Sequence, residues 1–188
     1  MSLGQTIGAI CKKFDGICGQ TYTCVLTRNK GKVGYFLEDL LGIPHTSNTL
    51  DCSDGEIKCF PLKKKGDKYM PKETIAVTML NRTDLQTKEF EASACYAKLQ
   101  RTLYVPYFRT DDTICFFSPT LLDLSEHGEL FEQFKSDYDE IRQGFLADET
   151  LSSSNGTYLQ NRTKGPGHGS TSRAFYLRTQ FITDYVAF

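Results

Sequence analysis

The chain has 188 residues, 39% of them apolar and 24% charged, with a formal net charge of −1. That is enough for one domain with a buried core over residues 1–188, and it excludes a disordered chain of one charge sign. No run approaches the ~18 apolar residues of a membrane helix and no signal-peptide pattern opens the sequence, so a cytoplasmic protein with no membrane partner is expected.

The near-zero charge hides an asymmetry. Residues 1–107 hold fifteen Lys and Arg against eleven acids, residues 108–150 three against eleven, and residues 151–188 four against one. Two basic segments flank an acidic one, which keeps nucleic acid open as a partner. Seven cysteines form an odd count without a Cys-x-x-Cys pair, and His45, His127 and His168 do not accompany them at zinc spacing. Reduced thiols packed as small hydrophobes are expected. The sequons at Asn81, Asn155 and Asn161 are discounted without a signal peptide.

In chain order, the first element is a helix capped by Ser2 and running through Leu3, Ile7 and Ile10, followed by a Gly- and Thr-rich connection over 16–27. A second helix buries Val33, Phe36, Leu37, Leu40 and Leu41 and ends at Gly42 and Pro44. Glu38 sits on the edge of that stripe, either reaching for water or serving a site. Residues 48–51 and 56–62 read as two strands joined at Ser53-Asp54-Gly55, residues that tolerate positive φ.

The stretch Asp51-Cys52-Ser53-Asp54-Gly55-Glu56-Ile57-Lys58 carries the chemistry. Strand alternation points Glu56 and Lys58 to one face, within reach of Asp51. Carboxylates of this kind bind Mg²⁺ together with phosphate and water, and a neighbouring ammonium can orient the attacking water. An ordinary charged surface hairpin is the competing reading. Lys63, Lys64, Lys65 and Lys68 follow as a basic hairpin tip, a solvated turn or a phosphate contact.

Residues 74–80, 101–108 and 113–118 read as strands that complete a mixed central sheet, with a helix or turn ending in Ala97-Lys98-Leu99 between the first two. Over 126–145, Leu130, Phe134, Tyr138, Ile141 and Phe145 form a helical stripe. Glu129, Glu132, Asp137, Asp139 and Glu140 lie off it, on a face expected to be solvated. Residues 158–173 read as a basic, glycine-rich loop bearing Arg162, Lys164, His168 and Arg173, able to approach phosphates and base edges. A short terminal helix ends the chain.

Five blocks in order carry a resemblance: Ser2-Leu3-Gly4; the run from Lys30 through Glu38 to Gly42; Asp51 through Lys58; Lys98 through Pro106; and Tyr158 through Gly165 with Arg173 through Arg178. Together they resemble the MutH-like branch of the PD-(D/E)xK nucleases, which includes the mismatch-repair nickase MutH and related restriction endonucleases that cut at GATC. The resemblance implies a restriction-endonuclease-like α/β fold with a mixed central sheet flanked by helices. It also implies a Mg²⁺-dependent endonuclease, with Mn²⁺ able to substitute, acting on double-stranded DNA. It transfers catalytic roles to Glu38, Asp51, Glu56, Lys58 and Lys98, with Asp51, Glu56 and Glu38 as metal ligands.

The spacing from Asp51 to Glu56 is shorter than in MutH itself, and Asp54 is the alternative ligand. Arg162, Lys164, Arg173, Tyr176 and Arg178 fall in the DNA-reading region, with Lys64 as a backbone contact. The function expected is a type II restriction enzyme at GATC-like sites, with a second copy able to meet it on DNA. The alternatives are a mismatch-repair nickase activated by a MutL-like ATPase and a DNA-binding module without catalysis.

Overall fold

Two long strands, β2 (Glu56–Lys65) and β5 (Arg101–Thr110), run parallel, with Glu56 opposite Thr102 and Pro61 opposite Tyr107. They come from a computed structural model that describes residues 4–23, 32–45, 48–164 and 172–188. Around them lie β1 (Thr21–Thr23), β6 (Thr113–Phe116) and β3 (Lys68–Pro71), in the order β1-β6-β5-β2-β3, and β7 (Thr120–Asp123) also pairs with β5. The pairs β1–β6, β5–β6 and β2–β3 are antiparallel, so the sheet is mixed, as the sequence leads one to expect.

Helices α1 (Ile7–Lys13) and α2 (Lys32–Leu41) pack on this sheet. Ile7, Ile10, Val33, Leu37 and Leu41 share one core with Leu103, Val105, Ile114 and Phe116. Thr6 caps α1, its side chain accepting the Ala9 N–H, because the helix begins later than the apolar spacing implies. Ser2 and Leu3, given to this helix from sequence, lie outside the described residues, as do Cys24, the Arg28 to Lys30 run, Gly165 and His168. Gly42, at φ +65°, terminates α2 as expected.

A second sheet has the order β4 (Ile75–Met79), β9 (Arg173–Leu177), β8 (Leu159–Thr163), all antiparallel. With it go α3 (Arg82–Thr87), α4 (Ala94–Leu99), α5 (Gly128–Asp148) and α6 (Thr179–Tyr185). The chain divides into two compact units, the first Met1–Glu73, Arg101–Leu122 and Tyr185–Phe188, the second Thr74–Gln100 and Asp123–Asp184. In the second, Tyr138 stacks on Phe175 at 5.7 Å and Phe134 meets Phe181 at 5.4 Å.

Several expectations are corrected. Residues 48–51 form no strand: they bend, and one bridge between Cys52 and Gly55 replaces the hairpin. The strand expected over 74–80 leaves the central sheet, since β4 pairs with β9 instead. The run from 158 to 173 is not all loop, because Leu159–Thr163 and the residues from Arg173 on pair as strands. Asp137 is 2% exposed rather than solvated. Six described cysteines, Cys11, Cys18, Cys52, Cys59, Cys95 and Cys115, carry no disulfide. Among the described residues no helix is long and apolar enough to cross a membrane.

Candidate active site

Gly55 is the residue on which the acid turn closes. A Cβ there would overlap Ile7 Cδ1 and lie 2.6 Å from the Arg101 carbonyl oxygen. The sequence suggests positive φ as the reason for this turn, but none of Ser53, Asp54 and Gly55 has it. Close backbone approach is the cause. The turn is then pinned from three sides. Cys52 N–H donates to the Gly55 carbonyl at 2.9 Å and Ser53 N–H to the Gln5 carbonyl at 3.0 Å. Asp54 accepts the Ile7 N–H at 2.7 Å through one oxygen and pairs with Arg101 Nη1 at 2.5 Å through the other.

This pinning delivers Glu56 and Lys58 on one face of β2. Glu56 is 1% exposed, and Lys58 Nζ donates to its Oε1 at 2.6 Å. A carboxylate at that depth is held by pairing and hydrogen bonding, here with an ammonium that is itself half-buried. Asp51, at the bend before the turn, accepts the Ile57 N–H through Oδ2 at 3.1 Å. Asp51 therefore faces the start of the strand that carries Glu56, although it arrives from a bend and not from a paired strand.

Glu38 comes from α2. Burial pushes its carboxyl up from the ordinary value, and the negative charge of Asp51 adds to the rise; Asp39 and Glu56 push the same way and His45 opposes them. The three carboxylates thus share one electrostatic neighbourhood. Cys52 feels it as well: burial, followed by Asp51, Asp54 and Glu56, pushes its thiol up to about 12, which keeps it protonated at neutral pH. Among the described residues, no group of three His, Cys, Asp or Glu side chains is gathered closely enough to form a ready-made ion site. A hard cation asks for less, one or two carboxylates completed by phosphate and water, and Asp51 with Glu56 fits that demand.

His45 was not singled out from sequence. Its Nε2 lies 3.4 Å from Glu38 Oε2 and 3.2 Å from Asp39 Oδ1, and its ring sits 4.8 Å from that of Tyr35. The signal available was Gly42 followed by Pro44, which turns the chain back along the end of α2. Arg101 was missed too, and no local pattern could have found a partner 47 residues from Asp54.

The remaining sequence-derived residues come from other elements or, for Lys64, from the far end of β2. Lys98 is in the last turn of α4, in the second unit. Lys64 is exposed on the β2–β3 hairpin, opposite Tyr69. On β8, Arg162 lies over the Tyr176 ring of β9 at 5.7 Å and donates from Nη1 to Thr74 Oγ1 at 3.1 Å. Lys164 donates its backbone N–H to the Ser172 carbonyl at 2.8 Å. Arg173 Nε donates to Asn161 Oδ1 at 2.6 Å. Arg178 directs its guanidinium at backbone carbonyls, those of Gly156, Ser153, Ser154 and Asn155, at 2.9 to 3.1 Å.

Residues 45–116 match the family model described as DNA mismatch repair enzyme MutH. The chain is MutH-like over this stretch. The MutH-like stretch holds Asp51, Glu56, Lys58 and Lys98, and Glu38 precedes it. No curated protein matches the chain. Among solved structures, one described as a restriction endonuclease MvaI–cognate DNA substrate complex is similar, with a TM-score of 0.46 and 10% identity over 95% of this chain and 93% of that one.

Proposed function

We propose that the chain is a metal-dependent, sequence-specific DNA endonuclease that hydrolyses phosphodiester bonds as one functional domain, a type II restriction enzyme at GATC-like sites. The observation that carries this reading is the buried Glu56 paired with Lys58 beside Asp51, inside the MutH-like stretch and with Glu38 in the same field.

Asp51 and Glu56 are the residues to hold Mg²⁺ or Mn²⁺, with Glu38 assisting. Asp51 is preferred over Asp54, since both Asp54 oxygens are spent on Ile7 and Arg101. When bound, the ion supplies Lewis-acid polarisation of the phosphate and a more acidic water. Lys58, held against Glu56 Oε1, orients the attacking water and moves its proton. Lys98 stabilises charge on the phosphate. Arg162, Lys164 and Tyr176 read base edges in double-stranded DNA and Arg173 supports them, while Lys64 contacts the backbone. Arg178, with its donors turned on the chain, serves the loop it grips.

Plasmid containing GATC, methylated or unmethylated, incubated with Mg²⁺, Mn²⁺ or chelator, tests this directly. Site-specific ends are expected with either cation and intact plasmid with chelator; cleavage that Glu56→Gln leaves unchanged would sink the assignment. A second reading, a nickase activated by a MutL-like ATPase, draws support from the description of the matching family. It requires nicks that appear only when that partner and ATP are added. A second copy on DNA is expected where both strands are cut. A binding module without catalysis has no use for a buried Glu56 paired with Lys58.

A further inference from the structure

The second unit buries a carboxylate that the chemistry does not use. Asp137, on α5, is 2% exposed. Its Oδ1 accepts the Thr157 N–H at 2.8 Å and Gln133 Nε2 at 2.8 Å, and its Oδ2 accepts the Tyr158 and Leu159 N–H groups, each at 2.7 Å. Three successive backbone donors make a concavity for an anion, and here the anion is a side chain. One turn later on α5, Glu140 accepts from Asn155 Nδ2 at 2.9 Å and from the Gly156 N–H at 3.0 Å.

The same segment is gripped through its carbonyls. Arg178 donates to the carbonyls of residues 153–156, and its own N–H donates to the Tyr158 carbonyl at 2.8 Å. Gly156 has φ +80°, and a Cβ there would overlap the Leu159 carbonyl. Residues 153–159 are therefore a strap with its donors tied to α5 and its acceptors tied to Arg178.

The strap runs straight into β8. Among the described residues that strand lies at the edge of its sheet and pairs with β9, so one neighbour holds its register. A slip of one residue in such a strand sends every side chain to the opposite face. Arg162 stands three residues beyond Leu159, and reading a base edge requires placement to about 0.5 Å. In some proteins a buried polar or ionic group serves to fix one arrangement among several.

We propose that Asp137 is a positioning residue for sequence discrimination, its buried carboxylate setting the register of β8 and so the aim of Arg162. The inference rests on the reading of Arg162 proposed above. Loss of fold lowers binding to every duplex by the same factor, whereas loss of aim narrows the ratio between two duplexes.

The test is competition binding, with chelator present and salt fixed, between a GATC duplex and one with a single base pair changed. Asp137→Asn, which removes one of the two accepting oxygens, is expected to narrow the ratio by roughly tenfold, the order of one lost base contact. Its dependence on salt should stay as in the natural chain, because phosphate contacts are untouched. Glu140→Gln, on the exposed side of the strap, folds readily and should narrow the ratio less. Ile114→Val, buried in the core of the first unit, should leave it unchanged.

An unchanged ratio in Glu140→Gln and in folded Asp137→Asn overturns the inference, and if Asp137→Asn does not fold, Glu140→Gln decides alone. Arg162→Ala run alongside separates the two readings. If it narrows the ratio and the strap variants do not, this inference falls and base reading by Arg162 stands. If the strap variants narrow it and Arg162→Ala does not, Asp137 does not act through Arg162 and the inference falls as well. A natural chain that shows no discrimination removes both.

Discussion

Glu56 and Lys58 are bound to each other in stability as well as in chemistry. Lys58→Ala would take the ammonium from a carboxylate at 1% exposure, so melting temperature and cleavage should fall together. A Glu56→Gln, Lys58→Met double variant removes both charges. It is expected to melt near the natural chain while cutting nothing, and thermal melts beside plasmid digestion check this. Asp51 and Asp54 should part in the opposite sense. Asp51→Asn is expected to abolish cleavage with a small change in melting temperature, whereas Asp54→Asn unties Arg101 and Ile7 and should act first on stability. Equal effects on both measures would remove the reason for preferring Asp51. Glu38 gives a pH dependence. Burial and then Asp51 raise its folded value above the unfolded one, so its contribution to stability is present while it is protonated and is lost as pH rises through the folded value. Glu38→Gln in chelator should therefore melt above the natural chain at pH 7, and the difference should vanish below about pH 4, where both forms are neutral.

Among the elements, those with a strong period were readable and those set by distant partners were not. The α2 stripe of Val33, Leu37 and Leu41, its stop at Gly42 and the α5 stripe from Leu130 to Phe145 were evident from spacing alone. The placement of Glu56 and Lys58 on one face of β2 followed from strand alternation. The bend before Gly55 was not readable as a bend, because what forbids a side chain there is the Arg101 carbonyl, 46 residues on (101 − 55 = 46). The period of α5 placed Asp137 off the apolar stripe correctly, but no period reports that the backbone of 157–159 arrives to bury it. β4 resembled any central strand; its pairing with β9 is a choice made about a hundred residues away. Gly55→Ala probes this level. Overpacking against Ile7 and Arg101 should cost about 1 to 3 kcal/mol and displace the start of β2, so cleavage should fall more steeply than stability. Full activity in a destabilised Gly55→Ala protein would mean that the turn does not aim Glu56.

At the scale of the molecule, a net charge of −1 conceals basic surface on which DNA affinity would depend. Lys64→Ala should weaken binding to all duplexes alike and lower the slope of log affinity against log salt by about 0.9, the signature of one lost phosphate contact. A change in the ratio between cognate and altered duplex instead would place Lys64 among the readers. The chain also leaves the first unit at Glu73, returns at Arg101, leaves again after Leu122 and comes back for Tyr185–Phe188, where Ala187 N–H meets Thr120 Oγ1 at 3.2 Å and Phe188 meets Phe60. That path has a consequence in time. β2, with Glu56 and Lys58 aboard, is synthesised well before β5, its parallel partner, and at some ten residues per second the wait for the 46 residues from Glu56 to Thr102 lasts several seconds (102 − 56 = 46). Throughout that interval the ladder groups of β2 that β5 will take have no strand to receive them, and a nascent chain halted in the interval would display them to its neighbours. The strand that carries Glu56 and Lys58 is thus secured early on one edge, by β3, and on the other only once β5 has emerged.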